Sequence, residues 1–555
     1  MHMNDSEQEI RPVETVPCVT WRSGFHDEEQ DDVLAFRWMG REAELSLECP
    51  EGGRPRYLTL HLFSEFSDAG QVVTIHQEGE RIAEIPVLQC WNLYSMVLSR
   101  SVSGPVRLKL ALNKVFPKVH HPGDSRELGI RVALPNFHDD AERHARLNGF
   151  HANGLLNVRE AIEKMTVLES YPTMLGVDLW GRCNIKPPCV YCFWDGSKDL
   201  EKSFTDAVID AGTFTGYGGF FESARMLQNC SIGEPFLHPQ FGEIVELVHA
   251  RGKLFEMSTN GQMFTPRIIE ALAGKKVYLY LSLDAATPQT YARLRNDRWE
   301  EIPAHLRALA GVRRANGGWP KVFMVFMPMK ANLDDLEPFV RLCKDIEADA
   351  LVLRPLILIE HDIVRERAGY RFDYRREILD EAGRKGIIAQ AERLTAAYGV
   401  RLLNQYYFGA ADPVAPMTEE AASAPPIPPE EELGGARMPL CREPWQSYFI
   451  LRRGIFPCCY GYLPIAPMDE WKTAWNSPIL QKIRSHLARG TFSPYCLKSL
   501  TCPTVQRHAP RLGIPLDLEK KVKGPGQPAW KRAAQRLDRA AFGIPGRIRK
   551  RLKGE

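Results

Sequence analysis

The 555-residue chain has no uncharged apolar run approaching the roughly 18–20 residues that a membrane-spanning helix needs. Its first residues, MHMNDSEQEIRP, are polar and acidic and lack the apolar core of a secretory signal. Net charge is only +2, so no global field drives binding to nucleic acid or membrane. There is no internal repeat, so the chain is not a repeat array. Together these absences predict a cytoplasmic protein, in a compartment where thiols stay reduced and disulfides are rare.

What is present divides unevenly. The length suggests roughly three or four domains. After a disordered start (1–15), residues 16–137 carry short alternating runs such as AELSLEC, YLTLHLF, VVTIHQ and VRLKLAL, separated by Gly, Pro and Ser. That pattern predicts an all-β sandwich. Residues 138–172 read as a helical connection. Residues 173–405 then alternate apolar strand-like runs with helical stretches: TMLGVDLW, LFEMSTNG, VYLYLSLDA, KVFMVFMPM and ALVLRPLIL, with TPRIIEALAG, TPQTYARLR and NLDDLEPFVRLCKDIEA between them. A βαβα series of this kind predicts a parallel sheet in an α/β fold, open or closed as a barrel. The active site of such a fold lies at the C-terminal ends of its strands. A Pro/Ala/Glu-rich linker (406–437) leads to a short cysteine-rich segment (438–510). The tail (511–555) is basic, with twelve Lys/Arg against two acidic residues from Lys520 onward.

Thirteen cysteines are spread as two bursts and five scattered residues, Cys18, Cys49, Cys90, Cys230 and Cys343. Scattered cysteines in a cytosolic chain act mostly as small buried hydrophobes. The first burst, GRCNIKPPCVYCFWD (181–195), holds Cys183, Cys189 and Cys192 with no histidine nearby. Three thiols are compatible with a structural zinc half-site, part of a redox pair or an incomplete iron–sulfur cage. A four-iron cluster on three protein thiolates keeps one iron open to an outside ligand.

The loop CNIKPPCVYCF resembles the cluster loop of radical S-adenosylmethionine (radical SAM) enzymes. Three further segments extend the likeness in order: CSIGEPFLHP (230–239), MSTNGQMF (257–264) and LSLDAATPQTYARLR (281–295). Together they cover about residues 173–360. There are two departures. The spacing is Cys-x5-Cys-x2-Cys rather than the family's CxxxCxxC, with Pro187-Pro188 stiffening the longer loop, and Ile232 replaces the first glycine of a Gly-Gly-Glu-Pro segment.

The resemblance implies a partial (β/α)6 barrel with a [4Fe–4S] cluster on Cys183, Cys189 and Cys192. S-adenosylmethionine would chelate the fourth iron. Tyr191 would lie near the adenine and Glu234 would accept from a bound ammonium group. Ser258, Asn260 and Ser282 would contact the methionine moiety or the ribose. Reduction would release a 5′-deoxyadenosyl radical that takes a hydrogen atom from substrate. A reducing partner such as flavodoxin or ferredoxin is implied.

The second burst lies in CREPWQSYFILRRGIFPCCYGY (441–462) and DEWKTAWNSPILQKIRSHLARGTFSPYCLKSLTC (469–502). It resembles the SPASM/twitch extension of the same family, and SYFILRRGIFP should form a hairpin. The likeness implies an auxiliary [4Fe–4S] cluster on Cys441, Cys459, Cys496 and Cys502, with Cys458 as a spare or competing ligand. A four-cysteine zinc site uses the same residues, because spacing alone does not separate the metals.

Trp21, Trp38 and Trp91 in the N-terminal domain would suit a carbohydrate-recognising or assembly role, although core packing uses the same residues. No Asp-x-His-x-x-Gly signature is present, which argues against cobalamin. The leading expectation is oxidation or epimerisation of a sugar, aminocyclitol or glycan-linked small molecule. Modification of a peptide or protein side chain is the alternative, and a non-catalytic zinc-binding adaptor is the contrast from another class. The basic tail could meet an anionic partner.

Overall fold

A computed structural model describes residues 17–31, 34–49, 55–99, 105–116, 126–192, 209–231, 233–356, 364–406, 438–499, 502–509 and 512–514. The predicted N-terminal disorder, nearly all of the linker and of the basic tail, and Ile232 lie outside these residues.

The N-terminal domain is antiparallel: β1 (Val19–Gln30), β2 (Ala35–Leu47), β3 (Tyr57–Phe63), β4 (Val72–Gln77), β5 (Glu80–Pro86), β6 (Asn92–Val97), β7 (Val106–Leu112) and β8 (Arg131–His138). Period-two alternation builds it. In β7, Val106, Leu108, Leu110 and Leu112 are buried while Arg107 and Lys109 are exposed. The two layers expected of a sandwich are joined here through a shared strand. All eight strands belong to one sheet, in the order β5-β4-β7-β2-β8-β3-β6 with β1 on β2. β2 is the hinge: Glu42–Leu47 pair with β7, whereas Phe36–Trp38 pair with β8. The sheet folds back on itself there and encloses one apolar core. Gly24 lets β1 follow the bend. Its φ is +74°, and a Cβ would stand 1.9 Å from the Glu42 carbonyl oxygen.

A helix (Ala141–Ile162) leads from this domain to the parallel sheet. That sheet contains β9 (Met174–Val177), β10 (Met226–Asn229), β11 (Leu254–Thr259), β12 (Val277–Ser282), β13 (Lys321–Phe326) and β14 (Ala350–Leu353), paired in sequence order. Their near-continuous apolar character follows from burial on both faces: Val322–Phe326 and all of β14 are buried. Thr265-Pro266 and Thr287-Pro288 start two of the covering helices. Each threonine caps a backbone N–H three residues on, and each proline fits the first turn. A small hairpin, β15 (Val364–Arg367) and β16 (Tyr370–Asp373), precedes β17 (Leu402–Asn404), which pairs with β14.

The C-terminal segment adds strands to this same sheet. β18 (Ser447–Leu451) runs parallel to β9, and β19 (Gly454–Phe456) completes a hairpin with it. Gly176 permits the join, because a Cβ there would lie 2.1 Å from the Phe449 ring. The strip after the connecting helix fastens the segment further. Trp445 Nε1 donates to the Met165 carbonyl at 2.9 Å, and Trp475 Nε1 to the Ser170 carbonyl at 2.9 Å. Asn476 exchanges two hydrogen bonds with Leu168. Fully buried Arg484 donates to the carbonyls of Pro444 and Thr166, both at 2.9 Å.

Candidate functional site

The first cysteine loop follows β9, at the C-terminal end of the sheet. Cys189 is buried, and Cys183 and Cys192 are half-buried. Backbone contacts fix the loop's course. Cys192 N–H donates to the Cys189 carbonyl at 2.9 Å, and Val190 N–H to the Leu294 carbonyl at 2.9 Å. The Lys186–Pro187 peptide bond is cis. Two arginines of β15 clamp the loop from outside. Arg365 donates to the carbonyls of Cys189 (2.5 Å), Val190 (3.3 Å) and Cys192 (2.9 Å). Arg367 donates to the Pro188 carbonyl at 2.7 Å and also to the Arg295 carbonyl. Gly233 closes the other side: its Cβ position lies 2.1 Å from the Arg182 carbonyl oxygen.

The third and fourth strand ends reach the loop. Asn260 Nδ2 donates to Asn184 Oδ1 at 2.8 Å and stands 3.8 Å from Cys183 Sγ. Asn184 donates in turn to Gln262. Tyr191 donates its hydroxyl to Asp284 Oδ2 at 2.6 Å, and Arg295 pairs with the same oxygen at 2.8 Å. The guanidinium also lies 5.6 Å from the Tyr191 ring centroid. Asp284 is fully buried with φ +60°, and Asn332 and the Met327 N–H hold it in place. Burial pushes the Cys183 and Cys189 thiols up, and Arg295 opposes that at both, favouring the thiolate that a metal needs.

Glu234 is 2% exposed. It accepts from Thr259 Oγ1 at 2.7 Å and from the Asn260 N–H at 2.8 Å. Burial raises its pKa to about 7, against those two donors and the Phe236 N–H. Ser258 is exposed and Ser282 half-buried. Both lie on the sheet face opposite Met257 and Leu281, which pack against the helices. That inner face also carries Gln228, Glu256, Tyr280 and Arg354. The structure therefore gathers Cys183, Cys189, Cys192, Tyr191, Glu234 and Asn260 around one loop and sets Ser258 and Ser282 on the wall beside it.

Residues 178–343 match the model of the Radical SAM superfamily. This region resembles a radical SAM domain.

Two curated proteins are similar over part of the chain. The tungsten-containing aldehyde ferredoxin oxidoreductase cofactor-modifying protein of Pyrococcus furiosus is 25% identical over 199 residues, covering 35% of this chain and 54% of that protein. The AdoMet-dependent heme synthase of Methanosarcina barkeri is 27% identical over 201 residues, covering 34% and 51%. The chain thus spans about half the length of the curated relatives it matches. A crystal structure of Streptococcus suis SuiB superposes with a TM-score of 0.43 at 12% identity, covering 67% of this chain and 78% of that one. A likeness that loose carries no argument here.

Outside the matched region, four thiols, Cys441, Cys458, Cys496 and Cys502, line one cavity together with Glu443, Ile483, Leu487, Phe492 and Val505. Cys459, taken from the sequence as the ligand, is exposed and does not line it. Burial raises Cys441, Cys458, Cys496 and Cys502 alike. Ser493 Oγ accepts from the Cys496 N–H at 3.1 Å and lies 3.3 Å from its sulfur. Among the described residues, no three or more His, Cys, Asp or Glu side chains converge on one point that a metal ion could fill.

The N-terminal tryptophans are largely spent on packing. Trp38 is 4% exposed. Trp91 donates to Asp31 at 2.6 Å and packs on Phe36, His61 and Phe63. Trp21 stacks edge-on with Phe25 beneath Arg37. The sequence reading also missed Asp284, Arg295, Arg365 and Arg367. The first two sit inside LSLDAATPQTYARLR, a segment already singled out. The arginine pair precedes Ala368-Gly369, both with positive φ, a turn signal that could have disclosed the hairpin.

Proposed function

We propose that the protein is a radical SAM enzyme whose first loop holds a [4Fe–4S] cluster on Cys183, Cys189 and Cys192. The observation that carries this is a three-thiol loop within the matched region, clamped through its carbonyls by Arg365 and Arg367 and lacking a fourth protein donor in the loop. With the cluster and S-adenosylmethionine bound, the chemistry supplied is reductive cleavage of the sulfonium and removal of a hydrogen atom from substrate. The chain's own residues shape the site. Arg295 holds positive charge beside the thiolates and fixes Asp284, which orients Tyr191. Glu234 and Asn260 tie the second and third strand ends to the loop. Ser258 and Ser282 face the inner side, where cofactor and substrate meet.

The second region is proposed to bind an auxiliary cluster on Cys441, Cys458, Cys496 and Cys502. Each thiol of a four-iron cluster binds a different iron, so its ligands ring a space rather than converge on one point. A zinc adaptor needs convergence. The sugar, aminocyclitol or glycan-linked substrate rests mainly on the company of the N-terminal domain, so the substrate is drawn more broadly, as a polar small molecule or polypeptide side chain reaching the inner face. The relatives' printed roles, a cofactor modifier and a heme synthase, accord with small-molecule work. The test is anaerobic reconstitution, dithionite reduction and assay of 5′-deoxyadenosine from S-adenosylmethionine. Release that disappears on changing Cys183, Cys189 and Cys192 to Ala supports the proposal. Colourless protein holding only zinc contradicts it.

A further inference from the structure

Arg354, on the inner face of the barrel sheet, has no ion-pair partner among the described residues. Arg354 follows β14 and is half-buried. Its Nε donates to Gln405 Oε1 at 2.8 Å, and its guanidinium stands 5.8 Å from the Tyr280 ring centroid. No carboxylate among the described residues lies within ion-pair distance of it. The nearest acid across the lumen, Glu256 of β11, is engaged elsewhere and accepts from Gln228 Nε2 at 2.7 Å. A partly desolvated cation is costly unless an anion and hydrogen bonds complete it. Its planar fork matches the two oxygens of a carboxylate or phosphate.

The neighbours of this spot set it apart from the cluster loop. Gln228 and Glu256 pair with each other and lie a step deeper along the strands than Ser258, whose strand partner is Tyr280. Burial also raises the Glu256 carboxyl above its usual range, while the Gln228 hydrogen bond and the Arg354 charge pull it back down, so Arg354 and Glu256 act on each other across this spot.

We infer that Arg354, flanked by Gln405, Tyr280 and the Gln228–Glu256 pair, is an oxyanion-recognition site that seats a carboxylate or phosphate of the substrate. The inference rests on the radical SAM reading for the location of the substrate, but its chemistry can be measured separately. The Arg354 fork would orient the anion. Gln228 and Glu256 would meet neutral polar groups on the same molecule.

The test uses the reconstituted full chain, with acetate, inorganic phosphate and neutral acetamide as probes in ligand-observed NMR, on the methyl protons of acetate and acetamide and on the 31P line width of phosphate. Equilibrium binding of S-adenosylmethionine is measured in parallel. Wild type should bind acetate or phosphate, whichever is the stronger naming the group, and should ignore acetamide. Arg354→Gln should weaken that binding by about tenfold or more and leave S-adenosylmethionine binding unchanged. Arg354→Lys keeps the charge without the fork and should fall between the two, which keeps the idea testable if the Gln variant fails to fold. Equal anion binding in wild type and Arg354→Gln overturns the inference. So does a fall in S-adenosylmethionine affinity, because Arg354 would then serve the cofactor. If wild type binds no S-adenosylmethionine at all, the parent reading fails, while the anion contrast between wild type and variant still decides this one.

Discussion

The two cysteine regions solve different physical problems. The first is set among charges and amides: Arg295, Asp284, Asn260, Arg365 and Arg367 all touch the loop or its immediate neighbours. The second rings a cavity walled mainly by Ile483, Leu487, Phe492 and Val505, with Glu443 the charged residue of its lining. Three thiols in a polar frame suit a group that remains open to a charged outside ligand. Four thiols within mostly apolar walls suit one that is closed off. The contrast also shows in how each region is held. Side-chain donors grip the carbonyls of the first loop, whereas sheet pairing and a clasp on residues 165–170 dock the second.

The largest expected effect separates two adjacent thiols. Cys458→Ala should remove the iron of the second region, while Cys459→Ala should retain it, as read by iron content and visible absorbance. Loss in the second variant alone would restore Cys459 as the ligand. Next is Gly233→Ala. A Cβ 2.1 Å from the Arg182 carbonyl must displace backbone, and overpacking of this kind costs roughly 1–3 kcal/mol. Iron in the first loop and S-adenosylmethionine cleavage should fall together, with second-region iron unchanged.

A smaller effect is expected from Arg365→Ala combined with Arg367→Ala. Hydrogen bonds to charged groups contribute about 1.5–3 kcal/mol each. The first loop should therefore surrender its iron to a chelator several-fold faster, and the second region should not respond. Equal acceleration at both regions would show that the hairpin stabilises the whole fold rather than the loop.

The smallest effect lies away from both regions. Lys253 is 1% exposed and donates to the Glu222 and Ala224 carbonyls. Burial lowers its pKa from 10.5 to about 7. Between those values the unfolded chain binds the extra proton, so stability rises with pH across that window, with a slope of at most about 1.4 kcal/mol per pH unit. Lys253→Met should flatten the pH dependence of the thermal midpoint between pH 7 and 10 and leave both iron contents alone.

Much of this contrast could be read from the chain because its signals are local. Cys183, Cys189 and Cys192 share ten residues, and strand runs such as KVFMVFMPM declare burial on both faces. What escaped was set by distant pairing. β18 joins β9 across some 270 residues, and only the coordinates show that Gly176 leaves space for the Phe449 ring. The folding back of the N-terminal sheet depends on which half of β2 meets which partner, and strand periodicity does not encode this. Cys458 and Cys459 are neighbours in the sequence, and that Cys458 alone of the two lines the cavity is set by the fold. The clamp by Arg365 and Arg367 links a hairpin to a loop about 175 residues earlier.

The central claim is that the first region is open to an outside ligand and the second is closed. It is tested most directly by electron paramagnetic resonance of the dithionite-reduced protein, recorded with and without S-adenosylmethionine, in wild type and in the Cys183→Ala, Cys189→Ala, Cys192→Ala triple variant. Wild type should show a signal that shifts on adding S-adenosylmethionine. The triple variant should keep only a second signal that does not move. A remaining signal that still shifts with S-adenosylmethionine would contradict the account.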